Sequence, residues 1–180
     1  MLNPAVAAIL AALLWLASPA AATEKVAELL AQLADPEQPR WQRVERELMA
    51  EWSKSGSPAM DLLVQRGRDA IEADDDEAAV EHLTAAIDHA PGFAEAYHLR
   101  ATAYFRSGHY GPAMDDLAMA LALNPHHFGA MTGLGMILED TGHNAQALTV
   151  FRAAHAIHPH EPVIRRALER LERRLSGTDA

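Results

Sequence analysis

The chain of 180 residues contains no cysteine, and this absence excludes disulfide scaffolds, thiol catalysis, iron–sulfur clusters and cysteine-type zinc sites. Basic residues are scarce, because 15 Lys and Arg stand against 25 Asp and Glu and leave a formal charge of −10. An acidic chain repels phosphate groups, so we expect no unaided binding to nucleic acid. Histidine, carboxylate and hydroxyl side chains remain as candidate chemical groups.

The sequence also lacks the common catalytic motifs. It contains no G-x-S-x-G elbow, no phosphate-binding glycine loop and no H-E-x-x-H helix. Scattered histidines and carboxylates do not by themselves define a catalytic pocket. We therefore expect a protein that is not an enzyme and that uses no cofactor.

A long apolar stretch occurs only at the N-terminus. Residues 2–22 carry no charged side chain, and their apolar run is interrupted before it reaches the about 20 residues that cross a bilayer. Three consecutive alanines then end at Ala22, which matches the small-residue pattern that signal peptidase recognises. We predict a signal peptide over residues 1–22, cleavage after Ala22 and no stable membrane insertion afterwards. An uncleaved N-terminal anchor is the alternative.

Proline recurs at a fixed spacing in the rest of the chain. Pro91, Pro125 and Pro159 are 34 residues apart. Small and large apolar residues recur at the same offset: Gly67, Ala101 and Gly135, and Leu83, Leu117 and Phe151. Within each unit the apolar residues follow helical spacing, which predicts two helices per unit. Proline ends each second helix because its ring forbids continuation.

A turn separates the two helices of each unit. Gly108 and Gly142 occupy this turn in the second and third units, and Asp74 occupies it in the first. Glycine adopts the left-handed conformation that ends a helix, and aspartate tolerates that conformation better than most residues. Asp75 and Asp76 lack the glycine and ligand spacing of a calcium loop, so we interpret this acidic run as the start of a helix.

These features together resemble the tetratricopeptide repeat family, which has 34-residue helix-turn-helix units with a turn glycine and a closing proline. The resemblance covers residues 60–159. It implies an all-α, tetratricopeptide-type helical solenoid of about three repeats. The predicted repeats span residues 60–93, 94–127 and 128–161.

Amphipathic helices flank the predicted repeats. Apolar stripes predict an N-terminal helical hairpin over residues 23–58 and a C-terminal capping helix over residues 162–176. The capping helix has a polar outer face, as the end of a solenoid requires. The hairpin pattern leaves open whether it packs as a cap or lies across the groove. The segment 52–57 is similar to exported bacterial proteins of this repeat class.

The resemblance also implies a concave groove lined by the first helix of each unit. Nine residues are predicted to line it: Val64, Arg68, Ile71, His98, Thr102, Phe105, Thr132, Met136 and Glu139. Apolar and polar side chains mixed in this way suit the capture of a peptide or an amphipathic helix. We expect a non-catalytic interaction module or assembly scaffold in the periplasm of a Gram-negative bacterium, with a protein or peptide partner.

Histidines near the repeat junctions suggest an alternative function. Neutral imidazole binds zinc, copper or nickel, and a surface site would use His126, His155, His158 and His160. The alternative is therefore a periplasmic protein that binds or delivers metal. The spacing of these histidines matches no known ligand motif, so we rank this hypothesis below the interaction module.

Overall fold

Apolar residues at helical spacing build the described part of the chain from α-helices. The computed structural model describes residues 19–177, and the side chains of residues 23–177. The helices are α1 (Pro19–Leu33), α2 (Trp41–Trp52), α3 (Pro58–Glu72), α4 (Asp76–His89), α5 (Ala94–Arg106), α6 (Tyr110–Leu123), α7 (Phe128–Asp140), α8 (Asn144–Ile157) and α9 (Pro162–Leu175). None of them has both the length and the hydropathy of a membrane-spanning helix. Most of the predicted signal peptide lies outside the described residues.

The turns within the three helix pairs are closed by one repeated backbone hydrogen bond. The amides of Asp75, His109 and His143 each donate to the carbonyl five residues earlier, at 2.9, 2.8 and 2.7 Å. The preceding residues Asp74, Gly108 and Gly142 have φ angles of 59°, 76° and 82°. This is the left-handed helix ending that glycine favours. The predicted turn residues, including the aspartate of the first unit, are confirmed.

The acidic run of the first turn begins a helix, as predicted. The Asp75 carboxylate accepts a hydrogen bond from the backbone amide of Ala78 at 3.0 Å. Asp76 and Glu77 follow in the first turn of α4, where negative charge is favoured by the helix dipole.

Each helix pair is closely packed at its small residue. A Cβ atom placed on Gly135 would lie 2.8 Å from the ring of Phe151, and one on Gly67 would lie 2.5 Å from Cγ of Leu83. Both of these large side chains are fully buried. Ala101 has the equivalent position in the second pair and lies in the same apolar cluster as Leu117. Glycine and alanine therefore set how closely the two helices of a pair approach.

The core continues from pair to pair and ends at α9. One apolar cluster joins α3 through α7, and a second joins α8 to α9. Ile164, Ala167 and Leu171 of α9 are buried, while its charged side chains point outward. The predicted all-α solenoid with a C-terminal capping helix is confirmed.

The N-terminal hairpin of α1 and α2 packs along the edge formed by the junctions between repeats. Its apolar residues form a cluster that includes Phe128 of α7. At one end of α2, Trp52 stacks on His127 with ring centroids 4.9 Å apart. At the other end, Trp41 stacks on His160 at 5.5 Å. The hairpin therefore covers the edge formed by the repeat junctions. The sequence had left open whether it packs in this way or lies across the groove.

We predict that Gly135→Ala destabilises the fold and that Gly133→Ala does not. The new methyl group at residue 135 would overlap the buried ring of Phe151, and overpacking costs about 1 to 3 kcal/mol. Gly133 lies on the same helix, but its added Cβ would lie 3.4 Å from Leu117, which is ordinary contact. There the higher helix propensity of alanine adds about 0.5 to 1 kcal/mol. Urea denaturation measures both, and equal midpoints for the two variants would contradict the close-packing argument.

Candidate functional site

An apolar cavity of about 310 Å³ lies between α5 and α7, the first helices of the second and third repeats. Five of the nine predicted groove residues line it: His98, Thr102, Phe105, Thr132 and Met136. The structure thus brings together five of the six residues predicted in the second and third repeats. Among the described side chains, none from the N-terminal hairpin lines this cavity.

Two glycines on α7 make room for the cavity. Gly129 and Gly133 line it one turn apart, and the side chains of Leu117 and Ile137 form part of its apolar wall. Phe105 forms another wall, where its ring stacks on Tyr110 with centroids 5.5 Å apart. These glycines were not among the nine predicted groove residues, although the repeat register puts both in the first helix of the third unit.

The hydroxyl groups in the cavity bond to the backbone of their own helices. Thr102 Oγ1 donates to the carbonyl of His98 at 3.0 Å, and Thr132 Oγ1 donates to the carbonyl of Phe128 at 2.8 Å. Because these donors are already used, the threonines contribute mainly methyl surface to the site. The cavity is therefore more apolar than its sequence suggests.

The other four predicted groove residues have different surroundings. Val64 is buried in the core, and Ile71 packs against the same cluster, because α3 contacts α5 directly. Glu139 forms a two-point ion pair with Arg170 of α9, at 2.7 and 2.6 Å. Arg68 forms an ion pair with Glu95 at 2.7 Å.

Glu95 is a fully buried carboxylate that the sequence analysis did not identify. Its Oε1 accepts from the Arg68 guanidinium, and its Oε2 accepts from Nε2–H of His127 at 3.0 Å. The Nδ1 atom of His127 accepts the backbone N–H of Ala130 at 3.1 Å, which fixes the proton on Nε2. Arg68 therefore balances an internal charge, and this differs from its predicted role as a cation that contacts the ligand.

The pKa values of this pair shift in the directions that keep Glu95 ionised and His127 neutral. Burial by itself raises the pKa of Glu95, but the hydrogen bond from His127 and the neighbouring His98 outweigh it and hold that pKa well below its usual range. Burial also lowers the pKa of His127, and the nearby Glu95 carboxylate offsets this only in part. Neutral His127 thus links the buried carboxylate of Glu95 to the backbone amide of Ala130 in the first turn of α7.

The register of the predicted groove positions continues into α9 as arginines. Residues 166, 170 and 173 follow the groove positions 132, 136 and 139 by 34 residues, and all three are arginine. Arg166 is exposed. Arg170 and Arg174 contact Glu139 from α9. The repeat register, extended into the capping helix, would have identified these arginines from sequence.

Two groups of potential metal ligands occur among the described side chains. Their donor atoms lie within 4.8 Å of one another: Glu95 with His98 and His127, and Glu45 with His158 and Glu161. Of the four histidines that the sequence suggested, only His158 belongs to either group. His160 instead contacts the backbone carbonyl of Asp35 through Nε2 at 2.9 Å. The structure does not assemble the four predicted histidines into one site.

Comparison with known proteins identifies the family. The tetratricopeptide repeat profile matches residues 94–127. A TPR repeat-containing protein of Rhizobium etli is 31% identical over 155 residues, which cover 86% of this chain and 76% of the relative. The chain therefore belongs to the tetratricopeptide repeat family, as its resemblance predicted.

Solved structures share the fold at lower sequence identity. The first TPR of Spaghetti (RPAP3), bound to HSP90 peptide SRMEEVD, is 21% identical, with a TM-score of 0.64 over 67% of this chain and 95% of that one. The TPR2B domain of yeast Sti1, in a pHsp70 complex, is 21% identical, with a TM-score of 0.60 over 66% of this chain and 99% of that one. These likenesses confirm the tetratricopeptide-type solenoid.

We predict that His127→Asn reduces the loss of stability on acidification. The pKa of His127 is lower in the folded protein than in the unfolded chain, so the unfolded chain binds more protons below about pH 6.5. The free energy of unfolding therefore falls as the pH falls from 7.5 to 5.5, by at most about 1.4 kcal/mol per pH unit for this proton. Asparagine can still cap the helix but does not titrate.

The control is His126→Asn, at the exposed neighbouring position. Urea denaturation at several pH values gives the slope of stability against pH for each variant. The control should keep the wild-type slope, and a His127→Asn slope equal to that of wild type would show that His127 does not carry this dependence.

Proposed function

We propose that the protein binds a segment of a partner protein in the cavity between α5 and α7, as a non-catalytic interaction module or assembly scaffold. The observation that carries this proposal is an apolar cavity between the first helices of the second and third repeats. The absence of catalytic motifs from the sequence agrees with it. Two proteins of similar fold are bound to an HSP90 peptide and in a pHsp70 complex, which supports a peptide as the partner.

The size and chemistry of the cavity favour a large apolar side chain as the anchor. Its volume of about 310 Å³ lies at the lower end of the roughly 300 to 1,000 Å³ of ligand pockets, so it holds an anchor and not a whole helix. Met136 is 37% exposed and adaptable, which suits contact with an apolar partner residue. An amphipathic helix or an extended segment presents such an anchor on one face.

The arginines of α9 favour acidic residues in the same segment. Arg166 is exposed on the basic side of the concave surface, next in register after Thr132 of the cavity. The chain has a formal charge of −10 and repels acidic ligands elsewhere, so exposed arginines at this end favour binding of acidic residues there. We infer a ligand with an apolar anchor at α5 and α7 and acidic residues toward α9.

We predict that Met136→Asp weakens peptide binding and that Met119→Asp does not. Peptides selected from a random display library on the wild-type protein provide the probe, and fluorescence anisotropy measures their affinity. A carboxylate in the cavity should weaken binding at least tenfold, or about 1.4 kcal/mol, because the apolar anchor would bury it. Met119 is 43% exposed on α6 and does not line the cavity. Equal affinity of both variants for the selected peptides would contradict the site.

We predict that Arg166→Glu weakens binding of acidic selected peptides about three- to tenfold at low salt, and less at 0.5 M salt. The reason is that a charge near the rim acts through a screened interaction. Arg165→Glu is the matched control, because it makes the same charge change about 100° around the helix. Equal losses in the two variants would indicate an effect of net charge and not of the groove.

We propose that the protein acts in the periplasm and that its mature chain begins at Thr23. The apolar stretch and the three alanines before Thr23 support this proposal. N-terminal sequencing of protein recovered from the periplasm should give Thr23 as the first residue. Full-length protein in the membrane fraction would contradict both the cleavage and the compartment.

A further inference from the structure

His158 is a fully buried histidine whose two ring nitrogens have no hydrogen-bond partner. It follows the end of α8 and lies beneath α2, with Trp41 and Phe128 packed edge-on against its ring. A buried polar group without a partner is costly, so this environment requires an explanation. His127, at the previous junction, differs because both of its nitrogens are engaged.

Two carboxylates lie next to the unpartnered ring. Oε1 of Glu45, on α2, is 3.5 Å from Nε2 of His158. Glu161 completes the group, with the donor atoms of all three residues within 4.8 Å of one another. One oxygen of Glu161 accepts the backbone N–H of Val163 at 3.1 Å, which orients the carboxylate. Among the described residues, neither carboxylate forms a salt bridge with Lys or Arg.

We propose that Glu45, His158 and Glu161 bind one zinc ion between the N-terminal hairpin and the third repeat. Imidazole and carboxylate are usual zinc ligands, and three protein ligands leave a fourth position for water. Two zinc bonds of about 2.0 to 2.1 Å at a tetrahedral angle hold their donor atoms about 3.3 Å apart. The 3.5 Å separation of Nε2 and Oε1 is close to this spacing and long for a hydrogen bond.

Charge also favours a cation at this position. Two carboxylates beside a buried ring repel each other, and a divalent ion balances both. The side chain of Glu45 is 26% exposed, so it offers a route from solvent to the buried nitrogen. The ion would join α2 to a junction that is more than one hundred residues further along the chain, and would thereby stabilise the docked hairpin.

The second group of potential ligands, Glu95, His98 and His127, is less suited to a metal ion. Glu95 already pairs with the Arg68 guanidinium, so a cation there would be repelled. Nε2 of His127 carries the proton, because Nδ1 accepts the amide of Ala130. Metal binding at Nε2 would require moving that proton to Nδ1 and breaking the helix cap. We therefore expect zinc at Glu45, His158 and Glu161, and not at Glu95, His98 and His127.

The test uses the mature chain after chelator treatment, titrated with zinc chloride by calorimetry and by thermal melting. Wild type should bind one equivalent and gain in melting temperature. Glu45→Gln keeps the size of the side chain but removes the charge, and should weaken the site at least tenfold. Glu47→Gln is the matched control on the same helix, because Glu47 pairs with Arg43 on the surface, and it should bind like wild type.

A second measurement identifies the site without any substitution. Ring nitrogen NMR of the wild-type protein should show His158 shifting on zinc addition while His127 and His98 do not. The proposal is overturned if wild type takes up no zinc, or if Glu45→Gln binds as tightly as wild type. It is also overturned if zinc binds but the His158 signals do not move, since the ion then occupies other histidines.

Discussion

The close approach of the two helices within each repeat is the constraint on which the rest of the structure depends. Where Gly67 and Gly135 face Leu83 and Phe151, even one methyl group exceeds the available space. This short distance fixes the shape of each helix pair, and pairs of similar shape can stack in series and bury apolar residues against their neighbours. The concave surface, and the cavity on it, follow from that stacking.

Packing of the hairpin buries side chains at the repeat junctions. At the two ends of α2, Trp52 stacks on His127 and Trp41 packs edge-on against His158, which lie at successive junctions. Burying polar rings in this way requires partners, and the two junctions meet the requirement differently. His127 is paired with Glu95 and capped by a backbone amide, whereas His158 has carboxylates nearby but no hydrogen bond.

The features predicted correctly from sequence include those that recur every 34 residues. Turn positions such as Gly108 and Asp74 depend on local backbone conformation, and local rules are sufficient for them. The pairing of Arg68 with Glu95 joins residues 27 apart on different helices, and no local pattern indicates it. Val64 shares the register of the groove but is buried, because register does not show where α3 meets α5.

The position of the tryptophans gives the protein an intrinsic optical reporter. Of the three in the sequence, Trp15 lies before the proposed cleavage site after Ala22, and the other two lie at opposite ends of α2. Both indole rings stack on imidazoles of the solenoid, at His160 and His127. Tryptophan emission from a chain that begins at Thr23, as proposed, would therefore come from the contact between hairpin and solenoid. Its wavelength and intensity would follow detachment of the hairpin while the repeats stay folded.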